Sequence, residues 1–228
     1  MFISASKLKR RFRAKGRYYR IGLENGVEVP CRSTLEIFRK GYDIEGNKPN
    51  ALFVMMNPGG STTLGLAEGQ EDGELYSHKS VDLAKKIKLT PLCDAKPDRT
   101  QYQVMRIMEH YNWNYVRVLN LSDIRDVDSA DFIERYRAYD NSYFSIFSNV
   151  RYQERMGYLQ DLDEKPIIAA WGISPDLEEL ALAAIECLPR NIKGLQGDSS
   201  YKYLHPLPRK WTEPRKWLQR FLEDVHLD

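Results

Sequence analysis

Apolar residues follow two spacings in this chain, and the two alternate. Unbroken apolar runs at ALFVMM (51–56) and PIIAAWG (166–172) are bounded by turn-forming residues, as strands buried on both faces are. YVRVLNLSD (115–123) reads as another strand. Helical spacing fills the gaps at 77–89, 99–113, 129–140 and 175–188, and an amphipathic helix at 213–225 closes the chain. Asp98 or Thr100 would cap the second of these helices and Ser129 the third, while Pro175 sits in the first turn of the fourth. Upstream, YYRIGLENGVEVPC predicts two short strands around Asn25-Gly26, a hairpin signal. CRSTLEIFRKGYDI suits strand and helix alike, residues 141–164 follow neither spacing, and IKGLQG is a short extended piece.

Strands separated by helices imply an α/β protein with a mainly parallel sheet and helices on both faces. Such sheets bind ligands at the carboxyl ends of their strands. Each polar motif that stands out here falls at such an end: Asn57-Pro58-Gly59, Asn120-Leu121-Ser122-Asp123 and Gly172-Ile173-Ser174.

Composition narrows the class. With 228 residues, 42% of them hydrophobic and 29% charged, the chain has enough for one sizeable core. No apolar run reaches the ~20 residues a bilayer span needs, so no membrane association is expected. The N-terminus has no secretory pattern. Cys31, Cys93 and Cys187 are scattered and odd in number, which fits reduced thiols in a cytoplasm. Neither they nor the histidines have metal-ligand spacing, and the acid-rich stretch 68–74 lacks a calcium-loop pattern, so no metal and no cofactor are expected. The net charge of +2 hides a local block: residues 7–20 hold eight Lys or Arg and no acid. This predicts a basic arm over 1–17 ahead of a single α/β domain over 18–228. Such an arm is either a solvated tail or a phosphate contact through Lys9, Arg10, Arg11 and Arg13, with Phe12, Tyr18 and Tyr19 interleaved for stacking.

FVMMNPGGS (53–61) resembles the first motif of the uracil-DNA glycosylase superfamily, an apolar strand ending in Asn-Pro-Gly. VRVLNLSD (116–123) is similar to that family's second strand, IIAAWG (167–172) to its third, and LHPLPR (204–209) to its His-Pro loop. The four recur in the family's order across 51–211. The chain also resembles a group of small bacterial and phage proteins sharing L-F-x-M-x-N-P, V-x-N-L, A-W-G and a late His-Pro. The resemblance implies a three-layer α/β/α sandwich around a mainly parallel four-stranded sheet, with an N-terminal β-hairpin added. Two departures stand out. Leu207 replaces the serine that the single-strand-selective branch places between the prolines, and Gly60, Ser61, Thr62 and Thr63 follow the turn where that branch has a stacking aromatic.

The implied chemistry is hydrolysis of an N-glycosidic bond, which forms an oxocarbenium-like sugar and expels the base as an anion. An amide has no useful basicity, so Asn57 would orient water through its carbonyl oxygen. Asn120 offers a donor and an acceptor to a base edge. His205 would donate to the departing anion as a neutral imidazole. Met56, Pro58, Gly59, Gly60 and Ser61 would line the substrate, the glycines allowing close main-chain approach. Arg209 and Lys210 would contact nucleic acid, DNA before RNA. Two other readings fit: a nucleotide or modified-base binding module without catalysis, favoured by the missing aromatic, and an enzyme on free nucleotides or nucleosides. Oligomeric state leaves no mark in the sequence.

Overall fold

The computed structural model describes residues 2–65, 72–139, 142–162, 164–189, 192–207 and 214–227. The elements begin with α1 (Ala5–Arg11), β1 (Phe12–Gly22), β2 (Glu28–Arg39), β3 (Ala51–Met55), β4 (Thr62–Thr63), β5 (Glu74–Ser77), α2 (Leu83–Leu89) and β6 (Leu92–Lys96). There follow α3 (Arg99–His110), β7 (Tyr115–Asn120), α4 (Ser129–Ala138), α5 (Tyr152–Gln160), β8 (Ile167–Ala170), α6 (Glu178–Cys187), β9 (Ile192–Lys193) and α7 (Pro214–Asp224).

The fold is α/β, but the sheet is larger and more mixed than four parallel strands. Among the described residues it has nine strands in the order β4-β6-β1-β2-β7-β3-β8-β9, with β5 also on β1. β7, β3, β8 and β9 run parallel, and β2 joins them antiparallel through Leu35 opposite Val118. The predicted hairpin is therefore part of the sheet rather than an appendage. Its turn closes with Leu23 N–H donating to Val27 O at 2.8 Å and Gly26 at φ +79°.

The segment expected to be a basic arm is built in as well. Residues 5–11 are helix α1, and pairing starts at Phe12 opposite Arg39, so a boundary at 17 falls inside β1. The charge count hid an alternation: Phe12, Ala14, Gly16 and Tyr18 point into the core, while Arg13, Lys15 and Arg17 take the other face. A register shift then places Ser33 and Thr34 opposite Arg17, between the pairs Gly16–Leu35 and Tyr18–Arg32, as in a β-bulge.

Two apolar layers enclose the sheet. Leu8 of α1, Val104, Met105, Ile107 and Met108 of α3, and Trp217 and Phe221 of α7 pack on one face. Leu83 and Ile87 of α2, Phe132 of α4, and Leu180, Ala181 and Ala184 of α6 pack on the other. Asp98 caps α3 with a capping box, accepting from Gln101 N while Gln101 reaches back to Asp98 N. Helix α4 is capped by Asp128, one residue before the expected Ser129.

Candidate functional site

Three strand ends meet at Met55. It is the last residue of β3, paired on one side with Asn120, which ends β7, and on the other with Ala170, which ends β8. Neighbouring strands lie about 4.8 Å apart, so the residues that follow each of these emerge together. The chain connections also diverge here. The route from β3 to β7 leads to one side of β3 and carries α2 and α3 on opposite faces, and the route from β7 to β8 crosses to the other side of β3 over the α2 face, carrying α4 and α5. In open α/β sheets ligands bind beyond the carboxyl ends of strands at such a switch point.

The turn after β3 is stitched to the loop after β7. Leu121 N–H donates to Met55 O at 2.7 Å and Ser122 N–H to Met56 O at 3.1 Å. Asn57 Nδ2 donates to Ile124 O at 3.3 Å and to Asp126 O at 2.8 Å. Those bonds use the amide nitrogen and leave Oδ1 as the remaining acceptor. Pro58 is buried, Met56 and Gly59 are partly exposed, and Gly60 is exposed. Gly59 has φ +61°, a left-handed conformation that glycine adopts without strain. A Cβ on it would stand 3.5 Å from Asp98 Oδ2, which puts the α3 cap beside the turn. Ser61 is buried and its hydroxyl bonds Tyr18 Oη at 2.9 Å, so it fastens the turn to β1 rather than facing a substrate.

Asn120 is fully buried, and neither its Oδ1 nor its Nδ2 meets a hydrogen-bonding partner among the described residues. Buried polar groups are nearly always paired, and leaving an amide unpaired costs about 1–3 kcal/mol.

His205 reaches this place by another route. Tyr203 forms a bridge with Gly172 just past β8, with N···O distances of 2.7 and 3.2 Å, and Gln103 of α3 donates to Pro206 O at 3.3 Å. His205 Nδ1 accepts from Leu207 N at 3.1 Å, which assigns the ring proton to Nε2 as a donor. Burial holds its pKa below the usual imidazole value, against the raising effects of the Leu207 bond and the Asp98 charge. The structure thus brings residues 57, 120 and 205 to one end of the sheet.

It does not bring the basic segment there. Phe12 lies opposite Arg39, and Phe38 opposite Tyr115, the first residue of β7. Lys9, Arg10, Arg11 and Arg13 are exposed, and they lie at the amino ends of the parallel strands, a strand length of roughly 16 Å from the crevice. There Arg11 pairs with Glu109 at 2.8 Å. Arg209 and Lys210 lie outside the described residues. Trp171 is core, its Nε1 donating to Tyr201 O at 2.7 Å. Among the described residues no three His, Cys, Asp or Glu side chains gather as metal ligands would, and no helix is long and apolar enough to cross a membrane.

No family model and no curated protein matches this chain. Among solved structures it is similar to a serine-to-alanine mutant of the feruloyl esterase module from Clostridium thermocellum complexed with sinapinate, at 12% identity and a TM-score of 0.26. That likeness covers 75% of this chain and 50% of the other, so the chain spans about half that module's length. A score this low carries no argument about fold or chemistry.

Sequence reasoning missed two neighbours of the site, Arg32 and Arg125, and gave Tyr18 a stacking role where it is a core residue. Arg32 pairs with Tyr18 across the hairpin, and Arg125 stands 5.3 Å from the centre of the Tyr18 ring. The alternation in β1 was the available signal for Tyr18, and the charge block obscured it.

Proposed function

We propose that this protein is a uracil-DNA glycosylase-like N-glycosylase that takes an extruded base into the crevice beyond β3, β7 and β8. The four parallel strands β7-β3-β8-β9, flanked by helices on both faces, support the sandwich reading of the fold. The observation that carries the proposal is Asn120, a buried amide with no hydrogen-bonding partner among the described residues, at the end of the sheet where Asn57 and the His205 loop also stand. One amide edge complements a ring N–H next to a carbonyl, the edge that uracil and hypoxanthine both present. Asn120 has no exposed surface, so a base reaches it only after the loops at these strand ends part. Asn57 Oδ1 then positions water at the sugar carbon, and the His205 Nε2–H donates to the departing base.

A base-binding module without catalysis is the second reading. The lack of an aromatic among residues 59–63 favours it, because stacking is what holds a flipped base for reaction.

The test is incubation with single-stranded and mismatched oligonucleotides carrying uracil or hypoxanthine, followed by cleavage at abasic sites. Asn57→Ala and His205→Ala are expected to lower the rate by about 10²–10³-fold each, the loss typical of one positioned donor or acceptor. Asn120→Ala is expected to abolish discrimination between bases. Base binding without abasic sites supports the second reading, and absence of both overturns the assignment.

A further inference from the structure

Arg32 is 2% exposed on β2, one strand away from Asn120 on β7. Its Nε and Nη1 meet no acceptor, and no carboxylate lies within 4 Å of it among the described residues. Tyr18, its partner across the hairpin, has its ring in the α3-side layer, as do Val116 and Val118, which share a strand face with Asn120. The guanidinium and the orphaned amide therefore leave the sheet on the same face. Tyr18 Oη in turn bonds Ser61 at 2.9 Å, so the turn 57–61 borders the same space. The Asp98 carboxylate interacts with both Arg32 and His205 through its charge, and a Cβ on Gly59 would stand 3.5 Å from it, which places Arg32, His205 and the Gly59 turn around one carboxylate. Burial works against the Arg32 charge, and Tyr18 and Asp98 offset only part of that effect. Asp98 is itself committed to capping α3 through Gln101 N at 2.9 Å.

A buried cation without an ion-pair partner is destabilising unless a ligand supplies the complementary charge. We propose that Arg32 is a catalytic residue of this site and that it stabilises the negative charge that develops on a carbonyl oxygen of the departing base. The inference rests on the glycosylase reading above. Heterolysis of the bond between the sugar carbon and the base nitrogen moves the electron pair onto the base, where it spreads to the ring carbonyls. Water adds its oxygen to the sugar carbon, and its proton ends on the released base.

The ligand is a planar heterocycle rather than a phosphate, for two reasons. Asn120 Oδ1 is an unpaired acceptor, and a phosphate dianion has no proton to give it, whereas a ring N–H does. The Asp98 carboxylate also repels a full dianion but tolerates a single charge that appears only as the bond breaks.

The test compares wild type with Arg32→Gln on single-stranded oligonucleotides carrying uracil or 5-fluorouracil, whose ring N–H is more acidic. Arg32→Gln is expected to slow uracil release by about 10²–10³-fold. It should slow 5-fluorouracil release markedly less, because the better leaving group needs less external stabilisation. Equal losses on both substrates overturn the proposal, since a merely structural role would not sense leaving-group acidity. A separate readout uses Arg32→Met and thermal unfolding without substrate. Its melting temperature should rise, because an unpaired buried charge is removed; a fall shows that Arg32 is held by the protein and overturns the proposal. If the wild type releases neither base, the glycosylase reading fails and this inference falls with it. If the wild type is active and Arg32→Gln matches it, only the inference falls.

Discussion

At the scale of single residues, the site depends on groups held in unusual states. His205 is kept neutral by burial while Leu207 N–H fixes its tautomer. Its folded pKa lies below the ordinary imidazole value of 6.5. Above pH 6.5 both folded and unfolded chains carry it neutral, so its contribution to stability is complete there. As the pH falls through 6.5 toward the folded value, the unfolded chain takes up the proton first and that contribution is lost. An NMR titration of the His205 ring should give a midpoint below 6.5, and base release should fall off on the acid side at that lower midpoint, where protonated Nδ1 can no longer accept from Leu207. Glycines give a sharper structural contrast. Gly73 has φ +85°, and a Cβ there would lie 2.2 Å from Tyr18 O, whereas Gly26 at φ +79° has open space around it. Gly26→Ala should cost about 1–2 kcal/mol for the left-handed backbone alone. Gly73→Ala should cost more, because the β1 main chain must also shift; denaturant unfolding of the two variants measures the difference.

At the scale of elements, Asp98 joins structure to site, since it caps α3 and sits beside both the Gly59 turn and the His205 loop. Asp98→Ala removes one side of a capping box and should lower stability by about 1 kcal/mol. Base release should fall by more than that loss explains, and Asp98→Asn, which restores a capping oxygen, should recover stability more fully than rate. Elements with one clear period were legible in the sequence. The runs at 51–56, 115–123 and 166–172 became β3, β7 and β8, and α3, α4, α6 and α7 stand close to their expected places. Each failure has a physical cause. Strand β1 alternates core residues with Arg13, Lys15 and Arg17, so its charge outweighed its period. Strand β2 is buried at nearly every position because the bulge and two neighbouring strands cover it, which erases alternation. The segment expected to be helical from 77 starts as β5 and turns helical only at Leu83, and β6 has just one fully buried residue to mark it. Asn57 and His205 could be found because they end recognisable motifs. Arg32 could not, because what marks it is the absence of a carboxylate beside its guanidinium among the described residues, which no sequence pattern records.

At the scale of the whole molecule, the placement of charge separates the basic surface from the candidate site. Lys9, Arg10 and Arg13 are exposed at the end of the sheet opposite the crevice. Replacing all three with Ala should leave base release unchanged and the fold intact, because none has its side chain in the core. If that triple variant loses activity in proportion to its loss of salt-sensitive DNA binding, the strand must wrap the molecule from one end to the other. Deleting residues 1–17 is a different matter, because it removes α1 and half of β1, and unfolding is the expected result. The placement of β3 between β7 and β8 also bears on how the chain reaches its native state. During synthesis the β1–β2 ribbon can zip as soon as it emerges, since its partners are neighbours in sequence. β3 must wait for one flanking strand some sixty positions later and for another about fifty positions after that. The end of the sheet where Asn57 and Asn120 meet is thus assembled late, and a nascent chain carries a finished ribbon long before those strand ends come together.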